Sequence, residues 1–264
     1  GTRWDNVGAM RNRGVEINVG ADVLRIKDFK WNVNANVSYN KNEITELYNG
    51  VTEYVASDTG RMVAVGHPLG EFYLNRYAGV NPINGDALWY TKDGEITTEY
   101  NESDKVMLGK THEAPWQGGF GTTLSWKGFS LSAQFTWVAD RWMLNNDRVF
   151  QESNGLFSAY NQSKRMLYDR WKKPGDVTDI PRYGVTPQLD SRFLEDASFL
   201  RLKNLMLSYT FPQKFLNSAR IYAQGQNLLT FTNFTGMDPE STSNVYKAQY
   251  PMSRQFTFGL EVSF

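Results

Sequence analysis

The sequence of 264 residues has no cysteine, only two histidines and no excess of either charge, with 28 Lys and Arg against 28 Asp and Glu. Without cysteine the chain has no disulfide framework, thiolate metal site or cysteine nucleophile. Balanced charge argues against nucleic-acid binding, which needs a basic surface to neutralise phosphates. No apolar run approaches the ~18 residues of a membrane-spanning helix, and the mean hydropathy is −0.52.

The sequence is instead rich in aromatic residues and in segments that alternate with a period of two. From Phe29 to Asn40 the odd positions are apolar and the even positions are Lys, Asn or Ser. Successive side chains on a strand face opposite sides, so this segment predicts a strand with one apolar and one polar face. The other predicted strands are Val15–Leu24, Trp116–Trp126, Phe129–Trp137, Leu200–Phe211 with a bulge near Arg201–Lys203, Ala219–Leu229 and Phe256–Phe264.

Aromatic residues bracket the apolar stripes and suggest what these stripes contact. Trp31 and Tyr39, Trp116 and Trp126, and Phe129 and Trp137 form such pairs. Eight to ten residues on a tilted strand span roughly 20–25 Å, the height of the apolar band between the aromatic girdles of an outer-membrane barrel. This spacing favours an all-β, transmembrane antiparallel barrel over a soluble carbohydrate-binding β-sandwich, which also shows alternation.

The connections between these strands alternate in length. Arg25–Asp28, Lys127–Gly128 and Pro212–Ser218 are short, whereas residues 48–115 and 138–197 form long loops. Outer-membrane barrels have short periplasmic turns and long extracellular loops. Placing the short turns in the periplasm gives an odd number of crossings, which cannot close a single-chain barrel with an even number of strands. We therefore expect residues 1–264 to be part of a larger barrel.

Within the first loop, Gly79–Tyr100 predicts a hairpin that turns at Asp93–Gly94. Its acidic residues Asp86, Asp93 and Glu95 leave calcium as an alternative, although their spacing does not match an EF-hand. In the second loop, Asn161–Trp171 predicts a short packed helix that ends before Pro174.

Catalytic and metal-binding patterns are missing from the sequence. His67 and His112 lie far apart in loops, without a carboxylate at ligand spacing, and we expect both to be solvated. No nucleophile elbow, phosphate-binding glycine loop or zinc-protease motif occurs. We therefore expect neither an enzyme nor a bound cofactor or metal.

The candidate ligand-binding residues are amides of the polar stripes and aromatic residues of the loops. Amides and aromatic faces together suit sugars or peptides, through hydrogen bonds and stacking. The chain ends on an aromatic residue, Phe264, in an apolar stripe, which we interpret as a signal for the barrel assembly machinery. The candidate ligand-binding residues are Asn32, Asn34, Asn36, Trp89, Tyr90 and Trp142.

Several motifs, dispersed in order along the chain, resemble the SusC/RagA family of TonB-dependent outer-membrane transporters of Bacteroidetes. They are Met10–Ile17, Trp31–Leu47, Gly118–Phe120, Lys127–Phe129, Arg170–Asp176, Phe199–Asn204, Gln226–Leu228, Gly236–Glu240 and Tyr250–Pro251.

This resemblance implies the C-terminal strands of a 22-stranded barrel, without the plug domain and N-terminal strands. It also implies active, TonB-dependent import of oligosaccharides or oligopeptides across the outer membrane, with a SusD-like lipoprotein that closes over the extracellular loops. A passive porin is the second alternative to this function, beside the soluble sandwich.

Overall fold

The computed structural model describes residues 8–55, 60–157, 159–212 and 218–263. The helices are α1 (Asn146–Gln151) and α2 (Arg165–Tyr168), with 3-10 turns at Tyr48–Gly50, Glu102–Asp104 and Ser191–Phe193. The strands are β1 (Gly8–Ile26), β2 (Phe29–Leu47), β3 (Glu53–Val55), β4 (Met62–Ala64), β5 (Glu71–Leu74), β6 (Arg76–Val80), β7 (Ala87–Tyr90), β8 (Ile96–Thr97), β9 (Val106–Thr111), β10 (Trp116–Trp126), β11 (Phe129–Ala139), β12 (Trp142–Asn145), β13 (Leu194–Asp196), β14 (Phe199–Thr210), β15 (Ser218–Thr232), β16 (Val245–Tyr246) and β17 (Gln255–Ser263).

Seven strands form one antiparallel sheet, which we call the wall, in the order β1-β2-β10-β11-β14-β15-β17. All seven predicted strands are therefore confirmed, and neighbours in the wall follow each other along the chain. The turns β1–β2, β10–β11 and β14–β15 lie at one end of the wall. At the turn between β10 and β11, Lys127 and Gly128 both have positive φ angles, 45° and 90°.

Several wall strands are longer than the alternation predicts. β1 begins at Gly8 rather than Val15, and β2 continues from Asn40 to Leu47. These added ends pair with each other, Gly8 with Leu47 and Met10 with Ile44. The predicted bulge is confirmed, because Leu202 and Asn204 pair with consecutive residues of β11 and leave Lys203 between them.

The two faces of the wall differ as predicted. Apolar side chains of one face are exposed, including Val19 at 57%, Leu207 at 51% and Phe258 at 79%. Leu131 of the same face is also exposed. A β-sandwich would pack these side chains against a second sheet. The wall has no such layer within the described residues, and the soluble-sandwich alternative is therefore wrong.

The long connections fold together at the other end of the wall into a unit that we call the cap, made from the described parts of residues 48–115, 140–198 and 233–254. It contains the small sheets β3-β4, β5-β9, β6-β7-β8 and β13-β12-β16. The predicted hairpin is confirmed, with Tyr90 of β7 paired to Ile96 of β8. The main hydrophobic core of the cap contains Phe72, Leu74, Leu144, Phe193, Leu194 and Val245.

The helix predicted for Asn161–Trp171 is a single turn, α2. Met166 is buried in the cap, whereas Leu167 is 63% exposed, so only part of the predicted apolar face is packed. The helix stops early because the chain becomes extended at Arg170, which forms a parallel bridge with Ile180. The Trp171 amide then donates to the Ile180 carbonyl at 3.0 Å.

A buried ionic network joins separate parts of the cap. Glu152 is almost completely buried and accepts hydrogen bonds from Arg148 at 2.9 Å and from Arg165 at 2.7 Å. Arg148 also donates to Glu195 at 2.9 Å, and Arg165 to Asp179 at 2.6 Å. Each buried charge therefore has an opposite partner, as burial of charge requires.

Across the described ranges, no helix has the length and apolar character needed to cross a membrane. β1 and β17, the outermost strands of the wall, each pair on one side only among the described residues. The predicted assembly signal, Phe264, lies outside the described residues.

Candidate functional site

The polar face of the wall carries the three asparagines predicted to bind ligand. Asn32, Asn34 and Asn36 are alternate residues of β2, so their side chains share one face. The register places them opposite Asp22, Gly20 and Asn18 of β1. Asn32 donates to Asp22 at 3.1 Å. The structure thus brings the three asparagines into one row.

Glycines of β10 leave space beside two of these asparagines. Gly121 pairs with Asn34 and Gly119 with Asn36. A Cβ atom on Gly121 would lie 2.3 Å from the side-chain oxygen of Gln134, which pairs with it from β11. The Gln134 amide therefore lies across Gly121 and extends the polar row toward Asn34.

An open hollow of about 710 Å³ lies where the polar face meets the cap. Polar side chains from five wall strands line it, with Glu240 from the connection between β15 and β17. A second hollow of about 440 Å³ adjoins it through the shared residues Gln117 and Val138. The polar and charged lining residues of the first hollow are Glu16, Asn18, Asn36, Ser38, Gln117, Thr136, Lys203 and Glu240.

Residues 233–254, which we call the strap, cross the upper part of the polar face. Arg201 of β14 is 2% exposed and donates to Asp238 of the strap at 2.5 Å. Glu240 lies 3.5 Å from Arg201 and 3.4 Å from the Lys203 ammonium. The strap is therefore held to the wall by ion pairs at the edge of the hollow.

Asp238 is the centre of this attachment. Its carboxylate accepts the backbone N–H groups of Glu240 and Met252, both at 2.9 Å, besides the Arg201 guanidinium. Burial alone would raise the pKa of Asp238, but these hydrogen bonds and the positive charge outweigh it, so the pKa is lowered. Asp238 is therefore ionised at neutral pH.

Both histidines have partners, and His112 is also buried rather than solvated as the sequence suggests. His112 is largely buried and lies 2.6 Å from the Arg141 guanidinium, which also donates to the carbonyl of Ser241 in the strap. Burial, followed by the Arg141 charge, lowers the pKa of His112. His67 lies 2.9 Å from the buried carboxylate of Glu71. His112 and Arg141 are 29 positions apart, so sequence spacing does not reveal their contact, whereas Glu71 is only four positions from His67.

The three candidate aromatic residues lie in the cap, apart from the asparagine row. Trp89 is 6% exposed and its indole N–H donates to Asp190 at 2.8 Å. Tyr90 is half-buried, with the Arg76 guanidinium 5.4 Å from its ring centroid. Trp142 is half-buried under the Lys110 ammonium, which is 3.5 Å from the ring centroid.

Through these contacts the three aromatic residues help to hold the cap together. Trp89 is packed edge to face against Tyr77 at 6.2 Å and Tyr100 at 5.6 Å between ring centroids. Trp142 packs against the main core of the cap. Ligand contact by these three residues stays a prediction. In the described ranges, no group of three or more His, Asp and Glu side chains is arranged to hold a metal ion.

Known proteins resemble this chain in both sequence and fold. TonB-dependent receptor P3 of Formosa agariphila is 29% identical over 98% of the chain, and TonB-dependent receptor SusC of Bacteroides thetaiotaomicron is 25% identical over 98%. A solved structure of the RagAB peptide transporter superimposes over 100% of the chain with a TM-score of 0.94 and 38% identity. No protein-family model matches the chain. The chain belongs to the SusC/RagA family.

The match covers only part of each SusC/RagA-type relative. The chain spans 29% of the length of the P3 receptor, 27% of SusC and 30% of the matched RagAB chain. An open state of the RagAB peptide importer also matches over the full chain, with a TM-score of 0.91. The wall thus has the fold of part of a TonB-dependent receptor barrel, as the sequence predicts. The named relatives are receptors and transporters.

Sequence reasoning missed the charged residues at the edge of the hollow. The bulge near Lys203 and the segment Gly236–Glu240 were recognised separately, but nothing in the sequence links them. Arg201 and Asp238 are 37 positions apart and meet only because the strap folds back over β14. Arg201 occupies a polar position of the alternation, so the sequence gives no local signal that it is buried and needs a partner.

Proposed function

We propose that this chain forms the C-terminal wall and the extracellular cap of an outer-membrane importer for oligosaccharides or oligopeptides. The import is driven through TonB, which engages a part of the receptor outside this chain. A SusD-like lipoprotein covers the cap from the outside. Within this importer, residues 48–115 and 138–197 are extracellular loop regions.

The single observation that carries this proposal is the division of the wall into two faces beside a folded cap. The apolar face exposes Val19, Leu207 and Phe258, which suits contact with acyl chains. The opposite face carries the Asn32, Asn34 and Asn36 row and leads into the hollow below the cap. A lipid-facing exterior and a wet, amide-rich interior are what a transport barrel requires.

The hollow suits a ligand with many neutral hydrogen-bonding groups. Asn18, Asn36 and Gln117 each supply both donors and acceptors, and Ser38 and Thr136 supply hydroxyls. Such groups bind sugar hydroxyls or peptide amides equally well. The resemblance to the RagAB peptide transporter favours peptides, whereas the resemblance to SusC leaves oligosaccharides as the other substrate class.

Uptake by the native host tests the function. We expect deletion of the gene for the full receptor to abolish growth on one class of nutrient, either oligopeptides or oligosaccharides, and the wild-type gene to restore it. Replacing both Asn34 and Asn36 by leucine should weaken uptake by about tenfold or more, because two ligand amides lose their partners. Val37→Leu on the opposite face is the matched control and should transport normally.

Removing TonB separates active import from a passive porin. We expect uptake through the wild-type receptor to stop in a host without TonB. Uptake that continues at the same rate without TonB would favour the porin. Wild-type growth of the deletion strain on every oligopeptide and oligosaccharide tested would contradict the importer. Co-purification of the receptor with a lipoprotein, lost when the cap is disrupted, tests the proposed partner.

A further inference from the structure

The apolar face of the wall contains a hollow of about 570 Å³ over β15, near the end that carries the short turns. Its floor is Ala223, whose neighbours in the register are Leu207 of β14 and Phe258 of β17. A small side chain between two large ones leaves a groove along β15. The flanking strands β14 and β17 form the two sides of the groove, and both belong to the described residues.

The groove is closed at one end and has an aromatic rim at the other. Toward the cap, the methyl groups of Leu228 lie over Gly225, only 2.8 and 2.9 Å from where a Cβ atom would be. Toward the turns, the rings of Phe129 and Tyr209 pack with centroids 4.6 Å apart. Aromatic rings of this kind concentrate at the level of lipid headgroups.

A cationic turn lies beside the aromatic rim. A Cβ atom on Gly128 would lie 3.0 Å from the Tyr209 ring, so the turn that carries Lys127 packs against that ring. Lys127 is exposed, and its ammonium lies 5.5 Å from the centroid of Trp126. No ion pair joins Lys127 to a carboxylate of the described residues. Its charge is therefore available to an external anion.

A second apolar hollow provides a comparison on the same face. It has a volume of about 480 Å³ and lies in the middle of the wall, where Val33, Ala35 and Phe120 form part of its lining. No cationic side chain lines it, and it lies away from the turns. The groove over β15 also has no cationic lining residue, but its aromatic rim packs against the turn that carries Lys127.

We propose that this groove binds one acyl chain of an anionic phospholipid, whose phosphate is held by Lys127. The inference rests on the proposed placement of the wall in a membrane. In a membrane the trough faces hydrocarbon rather than water. An acyl chain lying in the trough gives its apolar lining the dispersion contacts that an empty trough lacks. A lysine ammonium beside the aromatic rim is a compact cation suited to a phosphate group.

The test measures lipid retained by the full receptor, purified from outer membranes and exchanged extensively into detergent. Native mass spectrometry counts bound phospholipid, and titration compares phosphatidylglycerol, phosphatidylethanolamine and inorganic phosphate. We expect about one retained phospholipid per receptor and at least tenfold tighter binding of phosphatidylglycerol than of phosphatidylethanolamine. Binding of inorganic phosphate alone, with no lipid retained, would overturn the proposal.

Two variants and one control separate the chain contact from the charge contact. Ala223→Leu fills the trough and should remove the retained lipid. Lys127→Asn removes the charge with a residue that tolerates the positive φ, and should abolish the preference for the anionic lipid. The control Ala35→Leu fills the mid-wall hollow instead and should retain the lipid. Equal lipid loss in Ala223→Leu and Ala35→Leu would overturn a specific groove.

The outcome for lipid and the outcome for transport are distinguishable. A receptor that fractionates with the outer membrane and takes up nutrient, but retains no phospholipid, overturns this site alone. A receptor absent from the outer membrane overturns the membrane placement and the lipid site together. Correct folding of each variant is checked by its heat-dependent gel mobility, and Lys127→Asn, an exposed turn substitution, keeps the test open if Ala223→Leu does not fold.

Discussion

Residues 34 and 35 are neighbours on β2 with side chains on opposite faces, so an arginine at each position tests which face meets lipid. Ala35 pairs with Val19 and with Phe120, midway between the aromatic residues Trp31 and Tyr39. Asn34 pairs with Gly20 and Gly121 on the polar face. The two substitutions therefore introduce the same side chain at the same height of the wall and differ only in the face.

The expected costs differ widely. An arginine on the lipid face near the middle of a bilayer costs about 2–4 kcal/mol, which we expect for Ala35→Arg. This cost corresponds to a decrease of about 30- to 700-fold in the folding equilibrium constant. Asn34→Arg should change the free energy of unfolding by at most about 0.5 kcal/mol, because Gly20 leaves space on the β1 side and the face is wet.

The measurement is denaturant unfolding of the full receptor in phospholipid vesicles, with the folded fraction read from heat-dependent gel mobility. Ala35→Leu controls for added bulk without charge and should stay near the wild-type value. Equal costs for the two arginines, or a larger cost for Asn34→Arg, would refute the assignment of the faces. The proposed importer would then lose its main structural support.

Three further predictions concern the strap, the cap and one turn. Arg201→Ala should lower the stability of the attachment of the strap by about 3–5 kcal/mol, because it leaves the Asp238 carboxylate without its cation. Residues 233–254 should then become sensitive to protease, whereas Lys203→Ala, at a more exposed residue, should leave them resistant. The pKa of His112 is lowered in the folded cap, so as the pH falls the unfolded chain takes up the proton first. The contribution of neutral His112 to the stability of the cap is therefore fully present above about pH 6.5 and is lost as the pH falls toward the folded-state pKa. His112→Gln should flatten the dependence of protease resistance on pH. Gly128→Ala should cost at least about 1 kcal/mol, measured by the same unfolding assay, because its φ is 90° and the new Cβ would lie 2.6 Å from the Thr210 carbonyl oxygen.

The strands of the wall were predictable because their period of two is a local property. Strand ends were less so. β2 continues through Lys41, Asn42 and Glu43, where the apolar stripe stops although pairing with β1 does not. Alternation reveals a strand only where one of its faces contacts an apolar environment. A strand that extends beyond this environment loses the alternation but keeps its backbone hydrogen bonds.

The cap was not predictable because its interactions are distant in sequence. Phe72, Leu144 and Val245 share one core although more than 70 residues separate successive members. Trp89 was a reasonable ligand candidate as a loop tryptophan, and its burial against Asp190 depends on a fold that no local pattern encodes. The asparagine row, in contrast, follows directly from the alternation of β2.

The composition of the cap core also sets an order of events during biogenesis. Val245 and Tyr246 come from the connection between the last two wall strands, yet they pack with segments that precede β10 and β14. Contacts between such distant segments form slowly, since the loop between them must close first. Pairing of β17 with β15 brings the two ends of the strap close together. We therefore expect the cap to reach its final packing only after β17, the last strand of the wall, has paired.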